Sequence, residues 1–355
     1  MRGIRKLGVA AVALAVSVLG ASKSHALVDD PFTSFTQPAN ALVMPFDVTD
    51  DQVTFLLASN IGGLSPVGDA FIAGVTTHWT FWSETCDHLA DVFICLTLND
   101  TVVVDPRELS AIDAGNNPIG PQIDLSGNRG LVVVTAYATD EICSDASVRG
   151  YELVDNAIVG TYTFADTTTQ ASFGNDAIGL GTFFGDRTEL PEIDATDFSL
   201  QTFNPETLDD SVVVLLSLRE RGGSGASAQY EVGPNSSNIR ADLVFYDNLE
   251  IPTSLPEADI RCAKFTSLIP GQNSCAGGPN AGAPCNSNLD CPNGTCSFAL
   301  IPPTVSLLSS GILRLSNFTP AIGGETDRFI YGIHGQAVGN FGGSSNMKYK
   351  LTGLF

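Results

Sequence analysis

Three stretches near the start of the chain decide its fold class: residues 52–59 (QVTFLLAS), 74–82 (GVTTHWTFW) and 92–105 (VFICLTLNDTVVVD). Each is rich in the β-branched and aromatic residues that favour strands. Apolar and polar positions alternate along much of their length, as they do in strands with one buried face. Asn, Gly, Pro and Asp fill the gaps between the stretches, so the sequence predicts strands joined by turns.

Further strands are predicted downstream, at residues 130–139, 157–164 and 176–184. One helical turn is expected at residues 106–113, because Pro106 stands where a first helical residue would. Strands and helices do not alternate, which argues against a parallel α/β sheet. Many short strands separated by turns are typical of antiparallel β-sandwiches. The sequence therefore predicts an all-β fold.

The same layout of strands returns in the second half of the chain. Six blocks recur in the same order, pairing residues 53–59 with 212–218, 78–82 with 242–246, Cys95 with Cys262, 130–137 with 311–318, 158–160 with 330–332 and 175–184 with 346–355. A repeat this long indicates duplicated domains rather than solenoid units of about 20–50 residues. We expect two tandem antiparallel β-sandwich domains, at residues 41–184 and 211–355, joined by an acidic linker at 185–210. The alternative is one large sandwich whose strands merely look alike.

An insertion at residues 275–296 has no counterpart in the first copy. It runs Cys275-AGGPNAGAP-Cys285-NSNLD-Cys291-PNGT-Cys296, and Gly, Pro and Asn dominate it. Such a segment cannot bury a core and needs covalent cross-links instead. Its second half resembles the cysteine spacing of knottin-like and other small disulfide-rich modules. We expect a loop closed by two local bridges.

The first 26 residues have the features of a cleavable export leader. Arg2, Arg5 and Lys6 precede an apolar run at residues 7–21, and Ser24-His25-Ala26 supplies a cleavage site. The run falls short of the roughly 20 apolar residues that span a bilayer, and no later stretch reaches that length. A retained N-terminal anchor is the alternative. We predict an exported mature chain that starts near Leu27 with a polar lead-in, residues 27–40.

The chain is strongly acidic, with 39 Asp and Glu against 17 Lys and Arg and a net charge of −22. Phosphate backbones and anionic lipid surfaces repel such a chain, so nucleic acid is not an expected partner. Its content of 43% hydrophobic residues excludes disorder by composition.

All eight Cys follow the leader, and an even count in an exported chain predicts disulfides. We expect Cys86 and Cys95 to close the loop between the second and third strands, and the four Cys of the insertion to pair among themselves. Cys143 and Cys262 then remain and would link the two copies. The alternative pairs Cys143 with Cys86 or Cys95 and leaves a free thiol.

The best candidate metal ligands are His78, Cys86, His88 and Cys95, since imidazole and thiolate suit Zn²⁺ or Cu²⁺. Their spacing matches no metal motif. In an exported protein the two Cys are better explained as disulfide partners, so a site here would rest on His78 and His88.

Acidic pairs precede the first strand of each copy, Asp50-Asp51 and Asp209-Asp210. Their matching positions indicate a structural role, with weak Ca²⁺ binding by these residues as the alternative. Neither resembles an EF-hand loop. No other cofactor is predicted.

We expect a non-enzymatic surface or extracellular protein that acts as a binding or structural module, with an extracellular protein or carbohydrate as its partner. The chain shows no cofactor motif and few His to serve as a base. The alternative is a secreted carbohydrate-active hydrolase that uses paired carboxylates in a cleft between its domains.

Overall fold

The computed structural model is β-structure throughout, apart from a short 3-10 helix at Asn288–Asp290 among the residues it describes. The described residues are 38–49, 51–64, 71–112, 118–138, 154, 157–167, 172–180, 198–202, 210–221, 231–234, 239–246, 252–267, 274–276, 285, 288–297, 311–320, 328–338 and 341–347. The predicted leader, most of the lead-in, Asp50, Cys143 and Asp209 lie outside them. No helix in these ranges is long and apolar enough to cross a membrane.

In chain order the strands are β1 (Ala41–Asp47), β2 (Gln52–Asn60), β3 (Gly63–Leu64), β4 (Phe71–Ile72), β5 (Val75–Ser83), β6 (His88–Leu96), β7 (Thr101–Val104), β8 (Leu109–Ile112), β9 (Pro118–Ile123), β10 (Arg129–Ala138), β11 (Ile158–Asp166), β12 (Ser172–Asp176), β13 (Ile178–Leu180), β14 (Phe198–Thr202), β15 (Asp210–Arg221), β16 (Glu231–Pro234), β17 (Ile239–Tyr246), β18 (Pro252–Ile260), β19 (Ala263–Ser267), β20 (Ser274–Ala276), β21 (Thr295–Ser297), β22 (Gly311–Pro320), β23 (Arg328–Val338) and β24 (Phe341–Met347). We call β1–β13 the first half and β14–β24 the second half.

Two large sheets form the first half. One has the order β13-β1-β10-β5-β6-β8-β9, and the other has the order β12-β11-β2-β7. Neighbouring strands run antiparallel, except that β6 and β8 pair in parallel at Ile94 and Ile112. The second half also has two larger sheets, with the orders β14-β22-β17-β18 and β16-β15-β23-β24. The prediction of an all-β fold with several antiparallel sheets is confirmed.

The strand orders of the two halves correspond. β1-β10-β5-β6 matches β14-β22-β17-β18, and β12-β11-β2 matches β24-β23-β15. The strands that follow the hairpins β5–β6 and β17–β18 each cross to the other sheet of their half. There β7 pairs with β2, and β19 pairs with β15. These orders are the observations that bear on the predicted duplication, which stays a prediction.

A continuous apolar core joins the two halves. In β5 the inward side chains of Trp79 and Phe81 are fully buried, while Thr80 between them is partly exposed. Val214 and Phe265 of the second half belong to the same buried cluster as Phe46 of the first half. Burying apolar area stabilises by about 25 cal/mol per Å², so this shared core holds the halves together as well as each half.

The predicted long strand at residues 92–105 is in fact two strands, β6 and β7, separated by a tight turn. Asn99 adopts a left-handed backbone conformation with φ of 67°. The carboxylate of Asp100 accepts hydrogen bonds from the Thr97 backbone N–H, at 2.8 Å, and from the Thr97 hydroxyl. Asn tolerates this conformation better than most residues, so the turn forms and directs the chain to the other sheet.

The helical turn predicted at residues 106–113 is wrong, because β8 occupies its second half. Asp105 accepts a hydrogen bond from the backbone N–H of Arg107 at 2.9 Å, which makes a local turn before the strand begins. The predicted linker at residues 185–210 also contains a strand, since β14 pairs with β22.

Strand β1, which lies between β10 and β13 in the large sheet, was not predicted from the sequence. Its residues are buried on both faces, so the strand lacks the alternation that predicted the others. Pro45 lies beyond the three residues of β1 that pair with β13. A Pro is tolerated there because its missing N–H removes no hydrogen bond from the β13 side.

Candidate functional site

Arg129, the first residue of β10, makes a buried ion pair with Glu84. Its Nε donates to Glu84 Oε2 at 3.0 Å and its Nη2 to Glu84 Oε1 at 3.4 Å. Only 6% of either side chain is exposed. Gly130 follows Arg129 opposite Ser83, where an added Cβ would collide with the backbone of β5. Glycine therefore allows the close approach of the two strands beside the ion pair.

Arg129 also contacts the second half of the chain. Its Nη2 donates to the carbonyl oxygen of Cys275 at 3.0 Å, and this bond is buried. Its guanidinium carbon lies 5.2 Å from the centre of the Phe265 ring, a cation–π distance. The guanidinium thus satisfies groups from both halves at once, as its planar fork of donors permits.

A disulfide between Cys86 and Cys262 lies at the same place. It joins residues 176 positions apart, with Cα atoms 5.1 Å from each other. The Cys262 N–H donates to Cys86 Sγ at 3.1 Å, and the Ala263 N–H donates to the carbonyl oxygen of Glu84 at 3.5 Å. We call Glu84, Arg129, Cys86, Cys262 and the Cys275 carbonyl the joint, since together they connect the two halves.

The predicted bridges Cys86–Cys95 and Cys143–Cys262 are wrong. Cys86 lies in the turn between β5 and β6, whereas Cys95 lies opposite Thr76 near the far end of that hairpin. At about 3.3 Å per residue the two Cys are well beyond disulfide reach. Cys95 is bonded in a disulfide, and its partner is outside the described residues. A bridge does link the halves, as predicted, but through different partners.

Asp47 lies beside the joint, because it stands opposite Arg129 in the register of β1 and β10. Burial raises the pKa of Asp47 from its ordinary 3.8 to about 6, although Arg129 and hydrogen bonds from Thr49 act to lower it. Its Oδ1 accepts from the Thr49 N–H at 3.0 Å and from the Thr49 hydroxyl at 2.5 Å. The carboxylates near the joint are thus engaged by neighbouring protein groups.

Two local bridges close the Cys-rich insertion, as predicted. They join Cys275 to Cys291 and Cys285 to Cys296. The strands β20 and β21 pair Cys275 with Cys296, so the bridges pack against each other. Cys275, Cys285 and Cys291 lie close enough to hold a metal ion, but as disulfides they offer no thiolate. The insertion is a covalently closed loop docked on Arg129.

His78 and His88 are brought together on the outer side of the β5–β6 hairpin, by a residue the sequence analysis did not single out. Nε2 of His78 lies 3.0 Å from Asp91 Oδ1, and Nε2 of His88 lies 2.9 Å from Asp91 Oδ2. Each imidazole therefore donates to its own oxygen of one carboxylate. We call His78, His88 and Asp91 the histidine face.

The electrostatics of Asp91 reflect these contacts. Partial burial acts to raise its pKa, but the hydrogen bond from His88 and the charge of His78 outweigh that effect. A contact with the Thr80 hydroxyl acts in the same direction, and the pKa of Asp91 lies below its ordinary value. The carboxylate is therefore held in its ionised form.

The acidic pairs proposed for Ca²⁺ are only partly described. Asp51 is exposed just before β2, and its backbone carbonyl accepts hydrogen bonds from the N–H and hydroxyl of Thr167. Asp210 is the first residue of β15. Asp50 and Asp209 lie outside the described residues, so Ca²⁺ binding stays a prediction.

Two signals in the sequence could have indicated these sites. Arg129 opens an otherwise apolar strand, and a charge in such a position needs a buried partner. Asp91 interrupts the apolar alternation of β6 three residues after His88. What the sequence could not supply is the long-range pairing of Arg129 with Glu84 and with the insertion.

Comparisons with known proteins add little to this picture. No protein-family model matches the chain, and no curated protein matches it. A solved structure, N-glycanase F (PNGase F), is similar over 89% of this chain and 97% of its own, with 10% identity and a TM-score of 0.24. A TM-score this low carries no argument about fold or function.

Proposed function

We propose that the chain is an exported, non-enzymatic protein in which two related β-sandwiches form one rigid surface or extracellular module for binding or support. The observation that carries this proposal is the joint. A disulfide, a buried ion pair and a buried hydrogen bond to the insertion all connect the same two halves. Such a connection favours fixed geometry over the opening and closing of a cleft.

The corresponding strand orders support the duplicated-sandwich part of the proposal. Each half pairs its strands in the same sequence, and in each half one strand crosses between sheets at the same step. The disulfides support an extracellular location, because such bonds persist in oxidising compartments.

The competing function, a carbohydrate-active hydrolase, needs two carboxylates facing a solvent-filled cleft. Two described carboxylates close to the joint are Glu84 and Asp47. Glu84 is buried against Arg129, and Asp47 is hydrogen-bonded to Thr49. A carboxylate bound this way has a structural partner where a hydrolase would present it to a sugar, which favours the non-enzymatic proposal.

The location is tested in the native host by cell fractionation and N-terminal sequencing. The expected result is a mature chain beginning near Leu27, found outside the inner membrane. Finding Met1 on the native protein in the cytoplasm would contradict the proposal.

The absence of turnover is tested with the oxidised mature chain on a panel of glycoproteins and polysaccharides. Bound protein is measured by co-sedimentation, and released saccharide is measured by mass spectrometry. We expect retention without release. Saccharide release by the wild type that is lost in Glu84→Gln or Asp47→Asn, with both variants folded, would establish the hydrolase instead.

A further inference from the structure

The histidine face has the donor set of a transition-metal site. Its two imidazole nitrogens and one carboxylate converge from adjacent strands, His78 on β5 and His88 with Asp91 on β6. The register of the hairpin fixes this convergence, because Thr80 stands opposite Asp91 and Trp82 stands opposite His88. Sheet pairing therefore places these ligands, and strands hold a site more precisely than loops do.

Neighbouring aromatic rings pack against both imidazoles. The His78 ring stacks on Phe93, with 4.4 Å between ring centres and 13° between planes. The His88 ring meets Trp82 edge-on, at 5.0 Å and 72°. In the metal-free chain each ring thus directs its Nε2 at Asp91.

The site is open to solvent, unlike the joint. The side chains of His78, Asp91 and His88 are 26%, 41% and 45% exposed. A cation can reach them directly, and the net charge of −22 raises its local concentration.

We propose that His78, His88 and Asp91 bind one divalent cation of the zinc class on the outer face of the β5–β6 hairpin. The cation replaces the two hydrogen bonds that the imidazoles now donate to the carboxylate, and it takes Nε2 of each His and one oxygen of Asp91. Because the two Nε2 atoms now contact different oxygens, binding draws them together. His88, the most exposed of the three side chains, supplies that movement.

The identity of the cation follows from the ligands. Imidazole nitrogen suits Zn²⁺, Cu²⁺ and Ni²⁺, while Ca²⁺ and Mg²⁺ prefer sets made of oxygen. Three protein ligands leave a further position for water or for an oxygen or nitrogen atom of a bound molecule. Cys86 and Cys95, the thiolates first considered with these His, are bonded in disulfides and contribute nothing.

The experiment titrates Zn²⁺ into the mature, oxidised, untagged chain near neutral pH. Calorimetry measures the heat of binding, and NMR spectra that use long-range couplings measure the chemical shifts of the imidazole nitrogens. We expect one Zn²⁺ per chain, shifts confined to His78 and His88, and no competition by Ca²⁺. His88→Ala and Asp91→Asn should each weaken binding more than the roughly 10–100-fold lost when an outer partner of a metal ligand is removed.

Asp87→Asn is the matched control, because it removes an exposed carboxylate from the same hairpin turn. It should bind Zn²⁺ as the wild type does, and circular dichroism should show all variants folded. No saturable zinc binding, equal weakening by Asp87→Asn, or binding that survives both His88→Ala and Asp91→Asn would overturn the proposal. Binding of Ca²⁺ in preference to Zn²⁺ would overturn it as well.

Discussion

The joint and the histidine face are two polar clusters that both involve the β5–β6 hairpin, and they differ in their access to water. At the joint, Arg129 and Glu84 are each 6% exposed, and Arg129 donates to the Glu84 carboxylate and to the Cys275 carbonyl oxygen. On the histidine face the carboxylate and its two imidazoles are between 26% and 45% exposed. A buried ion pair is costly to break, whereas an exposed one contributes little to stability and remains free to exchange its partner.

Removing the disulfide of the joint should have the largest effect on stability. Cys86→Ala with Cys262→Ala opens a loop of 176 residues, for which the chain-entropy model gives about 5 kcal/mol. We expect the midpoint of guanidinium unfolding to fall strongly. Cys285→Ala with Cys296→Ala, which opens a loop of 11, is the control and should cost only about 2–3 kcal/mol. Equal losses of unfolding free energy in the two double variants would show that the Cys86–Cys262 bridge stabilises the chain no more than a local bridge does.

Arg129→Ala should cost about 3–5 kcal/mol, because it leaves the Glu84 carboxylate buried without a partner. Arg107→Ala is the matched control. Arg107 pairs with Asp105 at 2.6 Å but is 37% exposed, so its loss should cost less than about 1 kcal/mol. Urea unfolding of both variants measures the difference, and similar values for the two would refute the contrast between buried and exposed pairs.

Asp47→Asn should stabilise the chain at neutral pH by about 1–2 kcal/mol. The folded-state pKa of Asp47, about 6, is above its ordinary 3.8, so the folded chain holds the proton more tightly. This carboxyl therefore contributes stability below about pH 4 that is lost as the pH rises to about 6. The Asn side chain would keep an oxygen that accepts the hydrogen bonds from Thr49. Because it does not ionise, it removes the loss of stability at higher pH.

The measurement is unfolding free energy across this pH range for wild type and Asp47→Asn. Asp124→Asn should act with the opposite sign, because hydrogen bonds from Ser126 lower the pKa of Asp124 and its stabilising effect is present at neutral pH. If the unfolding free energies of wild type and Asp47→Asn changed in parallel with pH, the raised pKa of Asp47 would be contradicted.

Changes on the histidine face should have the smallest effect on the metal-free chain. His88→Ala should alter the unfolding free energy by less than about 1 kcal/mol, since the His88–Asp91 contact is exposed to solvent. Thermal unfolding in the presence of a chelator measures this. A loss as large as that of Arg129→Ala would mean that the face is structural and would remove the distinction between the two clusters.

Local chemistry explains what the sequence could predict. The alternation in β2 and β5 and the turn residues around them indicate strands, and the insertion must be closed by its own Cys because nothing else there can be buried. Strand β1 was missed because both of its faces are buried, so its pattern does not alternate. The break between β6 and β7 depends on the side chain of Asp100 and the backbone of Asn99, which a count of apolar residues does not register.

The joint could not be predicted, because its partners are distant in sequence and its geometry depends on the completed sheets. Cys86 and Cys95 are close together in the sequence. Only the register of β5 and β6 shows that they lie at opposite ends of a hairpin. His78 and His88 were identified from residue type alone, and the same register supplied Asp91 as their common partner.

The bridge between Cys86 and Cys262 has a consequence for how the chain matures. When the polypeptide emerges with its N-terminus first, the Cys95 thiol becomes accessible soon after that of Cys86. Cys262, the native partner of Cys86, appears 176 residues after Cys86. In an oxidising environment the early encounter favours the wrong bond, and thiolate exchange must then undo it. Such reshuffling takes minutes to hours without a catalyst. We therefore expect a thiol–disulfide isomerase to speed the correct assembly of this protein.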